Sequence, residues 1–203
     1  MKQFLCLLLL GCSATAQSAS VSIHEVLYDG IGSDADDVFT ELSGTPGLSL
    51  DGWLLKGVNG SNGDTYRTLA LDGVVIPDDG ILVIATTSAN ATLAALTDWI
   101  ANVDWQNGPD AVQLWFGETL IDALQYGDAG TFNAGEGQFA WLAAAGESLS
   151  RNAYGFDSDD NRADFSAGIA TPGAGPSPVP VPAALWLLLS ALGSAAMLRK
   201  QTT

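Results

Sequence analysis

Positive charge is what this chain of 203 residues has least of: seven Lys and Arg and one His stand against 23 Asp and Glu. Lys2, Arg199 and Lys200 lie at the extremities, so residues 21–175 hold Lys56, Arg67, Arg151 and Arg162 against every acidic residue, 4 − 23 = −19. A body this anionic repels phosphate backbones and anionic lipid headgroups, which excludes nucleic acid as a partner. Cations, neutral polysaccharide and basic proteins stay open. Cysteine is nearly as scarce: Cys6 and Cys12 are the only two, both near the start, so the body has neither a disulfide nor a cysteine zinc site. An ordinary apolar core must hold it. About 155 residues are enough for that, since a chain of this length buries roughly 70% of its unfolded surface. Histidine is limited to His24, and in His24-Glu25-Val26-Leu27-Tyr28 a tyrosine stands where the zincin motif His-Glu-x-x-His needs its second ligand. No phosphate-cradling loop, nucleophile elbow or dinucleotide fingerprint occurs either.

Long apolar runs are also few, and they sit at the two ends. Met1-Lys2, the apolar stretch Phe4 to Leu10 and the small-x-small site Ala14-Thr15-Ala16 before Gln17 predict a signal peptide over 1–16, removed by signal peptidase. Leu9-Leu10-Gly11-Cys12 leaves a second route open, acylation of Cys12 at a loose lipobox; both routes export the chain. From Val179 to Leu198 there is no charge over 20 residues, close to the ~20 that a helix needs to cross a bilayer. Pro180 and Pro182 belong at the interface, which leaves 183–200 as a transmembrane helix with a basic end. Arg199 and Lys200 stop the segment on the cytoplasmic side, so the body lies outside.

Val179-Pro180-Val181-Pro182-Ala183 followed by a short apolar helix and a terminal basic pair resembles the PEP-CTERM sorting signals of bacterial envelope proteins, in the VPLPA-type form, with Val181 where Leu is commoner. The resemblance implies recognition by exosortase, a membrane transpeptidase-like enzyme. It also implies a cut near the proline motif and delivery to the surface or matrix of a Gram-negative-type bacterium. A plain anchor that nothing cuts is the alternative reading of the same residues.

Between the ends, short runs of branched and aromatic residues alternate with Gly, Asp, Asn and Pro, the pattern of an all-β domain over 21–175, followed by a Pro-rich linker and sorting motif at 176–182. Strands are predicted at Val21 to Tyr28 (Val21, Ile23 and Leu27 on one face), Val38 to Leu42, Trp53 to Lys56, Tyr66 to Leu71, Val74 to Ile76, Ile81 to Ala85, Ala111 to Phe116, Thr119 to Tyr126 and Gln138 to Leu142. Leu93, Leu96 and Ile100 recur at helical spacing and predict one short helix over Thr92 to Ala101, capped from Ser88 or Asn90. The fold class that follows is a Greek-key β-sandwich with a helical insert.

Several segments in order resemble the lamin-tail domain, an immunoglobulin-like sandwich. Ile23-His24-Glu25-Val26-Leu27-Tyr28 is similar to its opening strand, Phe39-Thr40-Glu41-Leu42 to its second, and Asp51-Gly52-Trp53-Leu54-Leu55 and Ile76-Pro77-Asp78-Asp79-Gly80-Ile81-Leu82-Val83 to later turns. Gly108 to Leu114, Ile121-Asp122 with Tyr126-Gly127, Gly146 to Arg151, Asp159-Asp160-Asn161 with Asp164-Phe165 and Thr171-Pro172-Gly173 follow in the family's order. Val38 and the insert near Leu96 depart from the pattern. The resemblance implies an immunoglobulin-like fold that serves interaction rather than one chemistry.

Asp157, Asp159, Asn161 and Asp164 place oxygens at alternate positions, as a calcium loop does, and Asp34, Asp36 and Asp37 would add to them if the fold brought them near. Asx-turn geometry before the last strand explains the same residues. Among six tryptophans, Trp99 and Trp105 beside the insert are the pair to inspect for an exposed sugar platform. Two functional classes therefore stand: a non-enzymatic envelope or matrix protein, with exosortase, signal peptidase and the membrane as processing partners, or a calcium- or sugar-binding or hydrolase-associated module.

Overall fold

The computed structural model describes residues 21–152 and 155–175. The leader with Ala14 and Ala16, the motif Val179 to Ala183, the helix 183–200 and Arg199 and Lys200 lie outside the described residues. Among those described, no helix is long and apolar enough to cross a membrane.

The protein is all-β and built of two sheets. In chain order its elements are β1 (Val21–Leu27), α1 (Asp34–Asp37), β2 (Phe39–Gly44), β3 (Trp53–Asn59), β4 (Thr65–Ala70), β5 (Ile81–Ala85), α2 (Ala91–Ala94), β6 (Trp99–Ile100), β7 (Asp110–Phe116), β8 (Thr119–Tyr126), β9 (Glu147–Arg151), α3 (Asn161–Asp164) and β10 (Phe165–Ile169). One sheet runs β10-β9-β1-β2-β5-β6 and the other β4-β3-β7-β8. All pairs are antiparallel except β5 with β6. Ile23, Val26 and Leu42 of the first sheet meet Leu55, Val112, Leu114 and Leu124 of the second in one shared core. The β7–β8 hairpin turns at Gly117-Glu118, where Gly117 takes a positive φ of 58° that other residues adopt at a cost.

One irregularity in β1 organises the outer face of the larger sheet. Ile23 pairs with Leu42 and Glu25 with Glu41, so His24 is an extra residue in the ladder. A bulge of this kind flips the side-chain alternation. Val21 and Ile23 face the shared core before it and Val26 and Tyr28 after it, which turns Glu25 and Leu27 outward. The expected face of Val21, Ile23 and Leu27 is thus split: Leu27 joins Phe39, Ile81, Val83 and Leu93 in a second, smaller apolar cluster. The segment 170–175 after β10 lies beside that cluster, with Ala170 packed on it.

Three further expectations change. The helix over Thr92 to Ala101 shortens to α2, capped by Asn90 Oδ1 accepting from the amides of Thr92 and Leu93. Trp99 and Ile100 instead pair with Ile84 and Ala85, because the open edge of β5 offers backbone partners that a continued helix would forgo. Val74 to Ile76 forms a single bridge, Ser49 with Val75, rather than a strand. Residues 138–142 are not a strand, although Ala140 donates its amide to Gln125 O and packs into the core.

Candidate functional site

The densest group of charged side chains surrounds Arg151, at the end of β9. Its side chain is fully buried, and Nη2 donates to both oxygens of Asp122 on β8 at 2.7 and 2.8 Å. Nε donates to Ile23 O of β1 at 3.0 Å, and Nη1 reaches Asp164 Oδ2 at 3.3 Å and Asp157 Oδ1 at 3.1 Å. Asp122 Oδ2 also accepts from the Ile23 amide at 2.7 Å. One cation therefore joins β1, β8, β9 and the segment leading into α3. Planar guanidinium suits this, since it donates to several oxygens in a fixed fork.

Acid outnumbers base here. Asp122, Glu136 and Asp157 each bring a carboxylate oxygen within 4.8 Å of the others. Glu136 Oε2 is buried and has no hydrogen-bond partner. Burial, then the charges of Asp122 and Asp157, push its carboxyl up to about 8, against the pull of Arg151. Burial also raises Asp122, while Arg151 and the Ile23 amide pull it down. The group is a tie with a stored proton: Arg151 neutralises part of the charge and Glu136 is left to carry hydrogen at neutral pH.

The four residues expected to hold calcium are only partly brought together. Asp157 and Asp164 converge on Arg151. Asp164 is buried, and its oxygens accept from Ser158 Oγ at 2.6 Å, the Ser158 amide at 2.8 Å and Arg151. Asn161 points inward: Oδ1 accepts from the Gln125 and Glu136 amides, and Nδ2 donates to Ala123 O. Asp159 is exposed, with a positive φ of 56°. An ion bound by all four would have to displace Arg151 and Ser158 from Asp164. Asp34 and Asp37 bond elsewhere, to the Gly30 and Ile31 amides and to Asn107 and Asn90.

The tryptophan expectation is also redistributed. Trp105 is 1% exposed and donates from Nε1 to Thr40 Oγ1 at 2.8 Å, so it belongs to the core; Trp99 is half-buried. Among the described residues, Trp141 is the exposed indole, at 54%, with the Arg162 guanidinium 4.1 Å over its ring. Residue counting could not find it, because nothing local distinguishes Trp141 from its buried counterparts.

A second polar group sits on the outer face of the larger sheet. His24 and Glu41 are both buried, His24 Nε2 lies 3.9 Å from Glu41 Oε1, and Glu25 is buried alongside. Ser148 Oγ donates to Glu25 Oε1 at 2.5 Å. Burial pushes His24 down, against the charge of Glu25. The buried Ser148 bonds to the acid and not to the imidazole.

No protein-family model matches the chain, and no curated protein or solved structure is similar enough to match it.

Proposed function

We propose that this is a non-enzymatic, exported cell-envelope or extracellular-matrix protein: an immunoglobulin-like, lamin-tail-type Greek-key sandwich that leaves the cytoplasm by its leader, is held by the helix 183–200 and is sorted by exosortase at Val179 to Ala183. The observation that carries the reading is where the polar side chains go. Arg151, Asp122 and Glu25 are engaged by neighbouring strands and backbone, Glu41 Oε1 and Glu136 Oε2 stay unpartnered, and the hydroxyl of Ser148 is bonded to Glu25. Supporting it further are a body whose described charge is strongly negative and a core built without cysteine. Intact mass and cell fractionation of the native protein test it. The expected mature chain begins at Gln17, ends near the proline motif and fractionates with the envelope or medium. Full-length protein dissolved in the cytosol would overturn it. Changing Pro180 and Pro182 together to Ala separates sorting from plain anchoring, since unchanged mass and unchanged retention would speak for the anchor.

A second reading, a surface that grips neutral sugar, rests on Trp141, whose exposed indole and stacked Arg162 form the kind of flat face on which pyranose rings lie. Titration of Trp141→Ala against envelope polysaccharide, compared with the unaltered protein, tests that reading: equal binding would end it.

A further inference from the structure

The segment 170–175 crosses the outer face of the larger sheet along the order of its strands, touching β1, then β2, then β5. On β1, Glu25 Oε1 accepts from the Thr171 amide and Oε2 from Thr171 Oγ1, both at 2.8 Å. On β2, Glu41 Oε2 accepts from the Gly173 amide at 2.7 Å. On β5, Gly175 lies so close to Ile81 that a Cβ there would collide with the isoleucine side chain. The strap is therefore fastened by Glu25, which the bulge turned outward, and by Glu41 opposite it on β2, and not by apolar packing alone.

Those fastenings have an unusual charge balance. Glu25 and Glu41 are directly opposed across the β1–β2 ladder, and both are buried. From β1, Glu41 faces Glu25 and His24; from either side of β5 it feels Asp79 and Asp98; its partner on β5 is the apolar Val83. The strap contributes two amides and the Thr171 hydroxyl but no charge, β9 contributes the Ser148 hydroxyl to Glu25, and Arg151 of β9 is engaged by Asp122. His24 does not supply a cation at neutral pH, because burial pushes it down. Glu41 Oε1 has no hydrogen-bond partner at all. A buried, unpaired carboxylate costs several kcal/mol, so the closed arrangement holds a proton instead.

We propose that the strap 170–175 is a proton-held clasp, which closes over the outer face of the sheet with Glu41 neutral and opens when that proton leaves. Opening lets water reach Glu41 and separates it from nothing but hydrogen bonds. It also frees six residues, roughly 20 Å of extended chain, for whatever follows Gly175. It widens the cavity of about 280 Å³ between strap and α2, whose walls include Leu27, Phe39, Leu93, Ala170 and Pro172. The carboxyl behaves accordingly: burial, reinforced by Glu25, Asp79 and Asp98, raises Glu41 to about 7, with the Gly173 amide opposing. Because the closed form binds the proton more tightly than the open one, closure is strongest below the ordinary glutamate range and weakens as pH rises through about 7. The device does not depend on what becomes of the chain beyond residue 175.

Amide hydrogen exchange of the full-length chain in detergent, followed by NMR as protection relative to the intrinsic rate at each pH, tests the clasp. Between about pH 5.5 and about pH 8.5, protection of Thr171 and Gly173 should fall roughly tenfold or more, while Leu42 and Leu114 hold theirs. In Glu41→Gln the strap amides should keep constant protection over that range. Should that variant not fold, Asp79→Asn with Asp98→Asn keeps the acceptors for Ile81 and Val83 and removes two of the charges raising Glu41, so the fall should shrink. Strap protection that stays constant in the unaltered protein would overturn the proposal. An equal fall in Glu41→Gln, or a fall shared by Leu42 and Leu114, would also overturn it.

Discussion

Two buried acid clusters in this domain solve one problem in opposite ways. Around Arg151, between the two sheets, carboxylates are held by a guanidinium that donates to Asp122, Asp164 and Ile23 O. On the outer face, Glu25 and Glu41 are held by two hydroxyls, by strap amides and by a proton. A fixed cation makes a permanent joint, because removing it strands charge in a low-dielectric interior. A proton makes a conditional one. The difference predicts that the first cluster governs whether the domain folds and the second governs how its last residues lie.

The largest effect should come from Arg151→Met. Asp122 and Asp164 would remain buried without their cation, a loss of roughly 3 to 5 kcal/mol in denaturant unfolding. Next is Glu25→Ala, which strips acceptors from Ser148 Oγ, the Thr171 amide and Thr171 Oγ1; about 2 kcal/mol is expected, part of it local to the strap. If the two substitutions cost the same, the contrast between permanent and conditional joints fails.

Global stability should then decline with pH. Glu41 and Glu136 both have folded values above the unfolded 4.5, to about 7 and about 8. Their contribution is therefore complete below the unfolded value and is lost as pH rises through about 7 and then about 8. Melting temperature should drop by several degrees between mildly acidic and mildly alkaline buffer, and Glu136→Gln should flatten the upper part of that slope. The smallest effect belongs to Asp157→Asn, whose carboxylate is 35% exposed beside Arg151. Less than about 0.5 kcal/mol is expected, as for other solvent-screened pairs. Calorimetric titration with calcium should give no saturable heat, since Asn161 and Asp164 are engaged internally; stoichiometric heat that disappears in Asp157→Asn would show that the loop takes the ion after all.

Much of the framework was legible in the sequence where a turn residue pinned both flanks. The β7–β8 hairpin around Gly117-Glu118 and the uninterrupted apolar run of β5 fall where spacing placed them. What stayed hidden depends on partners distant in sequence. The bulge at His24 is a property of the β1–β2 register, so no local signal shows that Leu27 leaves the face of Ile23. The helical spacing of Leu93, Leu96 and Ile100 is real, yet Asp98 exchanges backbone and side-chain bonds with Val83 and turns the chain onto the edge of β5. Leu96 and Ile100 end exposed as a result. Of the candidate site, Asp157 and Asp164 were visible as oxygen donors, but the cation that claims them comes from β9 and the third carboxylate from the loop at Glu136. Alternation along one segment cannot report that convergence.

Carbon-detected NMR titration of the glutamate side-chain carboxyls puts the central contrast to its most direct test. The account predicts that Glu41 titrates near 7 and Glu136 near 8, with the Thr171 and Gly173 amides shifting in step with Glu41 alone. Titration of both carboxyls in the ordinary glutamate range, with the strap amides indifferent to either, would contradict it.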